Sequence, residues 1–477
     1  MKRTKKTRNE WLGVWITSGI LLVFLLIYLG TALFYCTHFL PGTVINGISV
    51  SGDNIKDVKW KMIQETEKYE IKIKARGDKE EILAGVDFGV MPIFDGSLEE
   101  ELRKQNCFAW PNAFFKESPV KIETMVEFSE QRLEKKVDEL EIMDADKMVK
   151  PKNARISEFS KKDLYTIIPE EQGTKISRKK FLKCLRRAIT NLQDSISLEE
   201  EDCYKKPKVT AQSKELKKLV KNLNHYAGAR ITYQFGKEEE VLDGEQISQW
   251  LSVDEQKNVS VSEEQIAAYV DRLADKWDTY GKAKKLKTSY GGRKVKIEGG
   301  DYGWKIDREK EKEILTGLVR DGQTTAREPE YEKTANSHGK KDYGNTYVEV
   351  NLTAQHLIYY KDGEVVVDSD FVSGDVAKGR ETPTGAFGLY YKERNRTLRG
   401  QGYASPVSFW MPFNGGVGFH DAKWRGNFGG DYYKWRGSHG CINLPYSAAK
   451  TLYDNIEAGC AVLVYTLPGT EGEMPQI

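Results

Sequence analysis

The 477-residue sequence predicts a multidomain chain with an N-terminal transmembrane helix, two α+β repeat modules and a C-terminal mainly-β domain. Three observations carry this. An uncharged, mostly apolar run extends from Trp11 to Cys36; short segments recur in pairs between residues 69 and 335; and after residue 345 the composition changes abruptly to short β-rich runs separated by Gly, Pro and Asp. With 39% apolar residues and 11% aromatics the chain is too apolar to be disordered, and its length suits about three domains. Seventy-three Lys and Arg against 71 Asp and Glu, a net +2, argue against a nucleic-acid binder, which concentrates a basic stripe against phosphate.

The apolar run is the first element. Lys2, Arg3, Lys5, Lys6 and Arg8 precede it, and about 20 helical residues suffice to span a bilayer core of ~30 Å. A cleaved signal peptide has a shorter apolar region and a small-x-small cleavage site, neither of which is evident; Tyr35 also weakens a lipoprotein reading of Cys36. The expectation is an uncleaved single-pass anchor in the cell membrane, with the N-terminus cytoplasmic and everything from about residue 40 outside. Of the six cysteines, Cys107 and Cys184 sit beside apolar residues and read as inert core thiols, Cys460 reads as part of a buried strand, and one bridge such as Cys184 to Cys203 stays open. No spacing among them resembles a metal site, and no cofactor is implied.

FLPGTVINGISVSG (residues 39–52) reads as an extended stalk. Beyond it, GDKEEILAG (77–85) reappears as GKEEEVLDG (236–244), and GTKISR (173–178) as GWKIDR (303–308), with Ser177 and Asp307 placed to cap the following helices. These anchors lie 96 residues apart in the first copy and 67 in the second, so the first carries about 29 extra residues. The division that results is a cytoplasmic tail (1–10), an anchor (11–36), a stalk (37–68), module 1 (69–208), module 2 (209–335), a linker (336–345) and the C-terminal domain (346–468). Neither module holds a catalytic constellation, so a binding or spacing role is expected of them.

The chemistry concentrates in RGSHGCINLP (436–445), with His420 upstream in VGFHD. A thiol of free pKa ~8.5 needs a base, and an imidazole can take its proton and return it to a leaving amine. Gly440 would allow close approach of a substrate carbonyl, and the amides of His439, Gly440 and Cys441 are candidates for an oxyanion hole. Pro445 before a helical pattern suggests a helix N-terminus near the thiol, which would lower its pKa. Zinc ligation by His420, His439 and Cys441 is disfavoured because the last two lie in one tight turn.

His420, then seventeen residues, then Ser438-His439-Gly440-Cys441-Ile442-Asn443 resembles the signature of the L,D-transpeptidase catalytic domain; VNLTAQHLIYYKDGEVV, Ser373-Gly374, TPTGAF (382–387), WMPF (410–413) and GCAVLVY follow the same order. The tandem modules resemble wall-binding modules that precede this domain in membrane-anchored enzymes of Gram-positive bacteria. The resemblance implies a mainly-β fold in which Cys441 attacks a peptidoglycan tetrapeptide stem, with loss of D-Ala, and an acceptor amine resolves the thioester into a 3→3 cross-link. It implies His420 as base and then acid, oriented by a backbone carbonyl such as that of Asp421, with His439 shaping the site and Ser438 and Asn443 supporting it. Tolerance of many β-lactams, though not of carbapenems, would follow. Two other readings remain open: an L,D-carboxypeptidase, and a non-catalytic wall-binding anchor. The stretch 390–406 is expected to line or lid the groove, with Arg394, Arg396 and Arg399 meeting stem carboxylates.

Overall fold

The computed structural model describes residues 8–122, 126–400 and 403–476, so Lys2, Arg3, Lys5 and Lys6 of the basic tail lie outside the described residues. The helix Arg8–Tyr35 contains a 24-residue stretch, Leu12–Tyr35, long and apolar enough to cross a membrane by length and composition. The chain forms two compact units: residues 1–155 with 168–213, and residues 156–167 with 214–477.

The two modules share one topology. In module 1 the hairpin Glu70–Ala75 and Lys79–Ala84 gains a third strand, Ser195–Ser197, parallel to the first and supplied after the helix Arg178–Thr190. In module 2 the hairpin Arg230–Phe235 and Glu238–Leu242 gains Thr324–Arg327 in the same way, after the helix Arg308–Arg320. Alternate residues of each first strand face the helices: Ile71 and Ile73 in one, Ile231 and Tyr233 in the other, all fully buried. Asp307 caps its helix by accepting from the Lys310 amide, whereas Ser177 occupies the equivalent cap position without a side-chain bond. The extra residues of module 1 lie mainly between the short helix Gly85–Phe88 and the helix Glu130–Glu139, where the helix Ser97–Lys104 and several turns are inserted.

That insertion corrects two expectations. The stalk is folded: Phe39, Ile45, Val50 and the helix residues Val58 and Met62 form a small core with Leu98 and Ile122 of the insertion. Cys107 is no core thiol, because it is bridged to Cys36 at the end of the apolar helix, with Cα atoms 5.1 Å apart. Cys184 and Cys203 are free and buried.

In the C-terminal domain, strands β1 (Tyr347–Asn351), β2 (His356–Lys361), β3 (Glu364–Asp370), β4 (Gly385–Gly388), β5 (Glu393–Gly400), β6 (Tyr403–Asn414), β7 (Val417–Asp421), β8 (Ile442–Leu444) and β9 (Ala461–Tyr465) form two sheets. One has the order β3-β2-β1-β9-β4, the other β5-β6-β7-β8. Val348, Val350, Val462 and Val464 of the first pack against Phe409, Met411, Phe419 and Ile442 of the second, with the helix Tyr446–Asn455 contributing Ala449 and Leu452. β1 and β9 are buried on both faces. Their outer face is covered by a hairpin of module 2, Lys284–Lys287 and Lys294–Ile297, through Leu286 and Ile297, and by Tyr302 beyond it. On that face Glu349 accepts from the Ser289 amide, the Ser289 hydroxyl and the Tyr465 hydroxyl, while burial raises its pKa.

The residues expected to form a linker belong to this contact. Tyr343 is buried, and Asp342 meets Lys284 at 2.5 Å with both side chains nearly inaccessible, so module 2 and the C-terminal domain pack as one unit. Removing one partner of such a pair strands the other charge in the interior. Lys284→Met is therefore expected to destabilise this unit by about 3–5 kcal/mol, read as a lower denaturant midpoint of the full chain; an unchanged midpoint would show the pair to be solvated.

Candidate active site

The site is assembled by backbone pairing. β7 runs antiparallel to β6, setting Trp410 opposite His420, and parallel to β8, setting Phe419 beside Ile442 and His420 beside Asn443. Cys441 immediately precedes β8 and so comes to the same end of the sheet as His420, although 20 residues separate them in sequence. Both open into a cleft of about 190 Å³ whose other walls include Ser438, His439, Asn443, Trp424 and Arg425.

The Cys441 turn is held from several sides. Ser438 Oγ donates to the Cys441 carbonyl at 2.6 Å and accepts from the Gly440 amide at 3.0 Å, while Thr382 Oγ1 donates to the Gly440 carbonyl at 2.7 Å. Gly440 has φ of 118°, in the region that disfavours a side chain. At Gly437 a Cβ would fall 2.3 Å from the backbone of Asp375, which shows how closely the segment of residues 372–375 backs this turn. Of the three amides expected to form an oxyanion hole, that of Gly440 is already engaged by Ser438.

His420 is buried, with its ring between those of Trp410 (6.1 Å) and Trp424 (5.9 Å). Its Nδ1 lies 3.0 Å from the Asp421 carbonyl, so a proton on Nδ1 is donated there and Nε2 keeps its lone pair. The Asp421 carboxylate acts elsewhere, accepting from the amides of Ser408 and Phe409 and so tying β7 to β6. Burial holds the imidazole below its ordinary pKa and pushes the Cys441 thiol up to about 11, only partly offset by the Gly418 amide. The expected lowering by a helix N-terminus is thus reversed. The helix Tyr446–Asn455 begins beyond the three extended residues of β8, about 10 Å along the chain, whereas a helix terminus acts within a turn.

The stretch 390–406, of which residues 401–402 lie outside the described residues, carries β5 and the start of β6 and lines the cleft as expected, but not through its arginines. Arg394 bonds Asp454 and stacks on Tyr453; Arg396 bonds Glu393 and Tyr391; all three arginines are exposed, and none of them lines the cleft. Leu398 and Ser405, cross-strand partners, line it instead. Sequence reasoning missed these two, together with Thr382's hydrogen bond, Trp424 and Arg425. A signal for the last pair existed: KWRG occurs at residues 423–426 and again at 434–437, directly before the Cys441 turn, and Arg425 Nη1 bonds the Arg436 carbonyl at 2.8 Å.

Residues 345–464 match the L,D-transpeptidase catalytic domain, and residues 99–197 and 209–327 match the putative peptidoglycan binding domain. An Enterococcus faecium L,D-transpeptidase, solved as a cysteine-to-serine variant, is 36% identical over 52% of this chain and 100% of its own length, with a TM-score of 0.45. The chain belongs to the L,D-transpeptidase family. A solved E. faecium catalytic domain acylated by ertapenem is 48% identical over 26% of this chain and 98% of its own, with a TM-score of 0.24. A Mycobacterium smegmatis L,D-transpeptidase is 26% identical over 25% of this chain and 58% of its own, with a TM-score of 0.23. No curated protein sequence matches the chain. This L,D-transpeptidase is accordingly a cysteine-dependent acyltransferase with peptidoglycan-binding repeats ahead of its catalytic domain.

The positive φ at Gly440 makes a local test of the turn. Gly440→Ala, at a strain of about 1–3 kcal/mol, is expected to lower transpeptidation roughly ten- to a hundredfold. Wild-type turnover in that variant would mean that the turn relaxes without consequence for the thiol.

Proposed function

We propose that the enzyme forms 3→3 peptidoglycan cross-links outside the cytoplasmic membrane, with Cys441 as nucleophile and His420 as its acid and base. The observation that carries this reading is the shared cleft: the thiol faces the end of the sheet where an imidazole is tied through Nδ1 to a backbone carbonyl, leaving Nε2 to accept a proton. Cys441 Sγ attacks the carbonyl joining the third stem residue to D-Ala as its proton passes to His420. The tetrahedral intermediate collapses, His420 protonates the leaving amine, and D-Ala departs from a thioester. The side-chain amine of the third residue on another stem then attacks, gives its surplus proton to His420, and releases the thiol as the new amide forms. Ser438 and Thr382 hold the nucleophile turn, and His439 and Trp424 wall the donor. Asn443 Oδ1, buried without a hydrogen-bond partner, suits a substrate N–H.

The apolar helix serves as the anchor, with the basic residues that precede it on the cytoplasmic side. Acylation by carbapenems, and tolerance of other β-lactams, follow from a thiol target, and the acylation by ertapenem of the E. faecium catalytic domain supports this. If water rather than an amine resolved the thioester the enzyme would be a carboxypeptidase, and the products separate the two. Incubated with disaccharide tetrapeptide, the full chain is expected to yield a dimer lighter than two monomers by one D-Ala, absent with Cys441→Ala. Tripeptide alone would make it a carboxypeptidase, and unchanged substrate would overturn both.

A thiol raised to about 11 beside an imidazole lowered by burial means that both are neutral at pH 7. Alkylation of Cys441 by iodoacetamide is therefore expected to climb steadily from pH 7 towards pH 11. Turnover should persist as pH falls through about 6.5, because the base form of His420 survives below the ordinary histidine range. A plateau of alkylation already reached at pH 7 would instead indicate a preformed thiolate–imidazolium pair.

A further inference from the structure

Aligned through their strand registers, the two modules fill one shared place differently. Ile71 and Leu83 pair in module 1 as Ile231 and Leu242 pair in module 2, which equates Ala75 with Phe235 and, opposite them, Lys79 with Glu238. The recurring hexamer equates Thr174 with Trp304 and Ile176 with Ile306; Ile176 bridges Tyr204 as Ile306 pairs with Tyr331. In module 2 this place is full. Trp304 stacks on His338 at 4.1 Å and tilts against Tyr331 at 4.6 Å, and Phe235 stacks on Trp277 at 4.0 Å with His338 at its edge.

In module 1 the two large aromatic rings are replaced by a methyl and a hydroxyethyl group, and the same place is an open cleft of about 130 Å³. Its floor is apolar, from Ala75, Ile142, Met148 and Ile176. Its rim carries Arg76, stacked on Tyr204 at 4.1 Å and ion-paired with Glu199, Lys147, ion-paired with Glu141, and Lys79, which supplies the positive charge in excess. Where module 2 carries Glu238 at the rim, module 1 carries Lys79, so filling and charge change together. A repeat that fills this place with its own rings needs no ligand there, and one that empties it and reverses its charge is shaped for an external group.

We propose that this cleft of module 1 binds the carboxylate end of a short peptide with a small apolar terminal side chain, the chemistry of an uncross-linked peptidoglycan stem ending in D-Ala. The methyl group fits the apolar floor and the carboxylate meets Lys79 at the rim. The site lies in the unit that does not contain Cys441, so it would hold the wall and not carry out the acyl transfer. The proposal rests on the reading that the enzyme works on peptidoglycan.

The test measures retention of the detergent-solubilised full chain on insoluble sacculi, together with turnover of soluble disaccharide tetrapeptide. Thr174→Trp restores the ring of module 2, and Lys79→Glu restores its charge on an exposed position that places little demand on folding. Each variant is expected to weaken retention by about tenfold, the loss of one charge-assisted contact, with soluble turnover unchanged. Wild-type protein on sacculi whose carboxylates have been amidated should weaken likewise. If both variants bind native sacculi as tightly as wild type, the cleft is not the site. If wild type neither binds sacculi nor converts the soluble substrate, the functional reading itself fails.

Discussion

The parallel pairing of β7 with β8 is the constraint on which the rest of the catalytic domain depends. A parallel pair cannot be closed by a tight turn; it needs a crossover, and here the crossover of residues 422–441 carries Trp424, Arg425 and the whole nucleophile turn. The pairing makes neighbours of His420 and Asn443, and one residue earlier brings in Cys441. Everything beneath serves to keep that register: Phe419 and Ile442 are fully buried in the intersheet core, so a slip by one residue would turn them out of it. The Asp421 carboxylate fixes the other side of β7 by collecting two amides of β6.

Burial then sets the chemistry. A thiol close to a helix N-terminus or a cationic side chain would be ionised at rest; this one is desolvated, and so is its base. A neutral pair exchanges its proton only when a carbonyl is in place to accept the developing charge, and it keeps a resting thiol largely unreactive towards oxidants, which react with the thiolate. The requirement is that geometry supply what ionisation does not. Hence the density of bonds around four residues, with Ser438, Thr382 and the backbone of Asp375 all fixing the turn.

What could be read from the sequence was what is local in it. The apolar run, the nucleophile turn and the paired segments of the modules are contiguous patterns, and the structure places each where its pattern implies. Apart from the helix N-terminus expected to lower the Cys441 pKa, the failures are long-range. Cys107 lies 71 residues from Cys36, and only the fold of the insertion brings them together. The β5–β6 hairpin hid because both faces of β5 are solvated, so its arginines show no alternation to betray a strand. The polar residues taken for a linker hid because charge ordinarily marks surface, whereas Asp342 is buried against a lysine 58 residues away. Arg425 and Trp424 lie in a crossover with neither helical nor strand period, where the recurring KWRG is the one mark of them.

The repeats show how one scaffold came to two uses. Module 2 fills its cleft with Phe235 and Trp304 and uses His338, from the segment leading to the catalytic domain, to close it; its hairpin covers the outer face of β1 and β9. That coverage is structural, because without it Tyr347, Glu349, Leu463 and Tyr465 would face solvent on a sheet whose other face is already core. A module committed to completing a neighbour's core cannot also keep an open site at the same junction. Module 1 belongs to the other compact unit, and the positions that are rings in its sister are free to be small. Duplication followed by unequal filling of one cleft thus accounts for why the two copies keep the buried strand residues in common and differ in the residues that surround the gap.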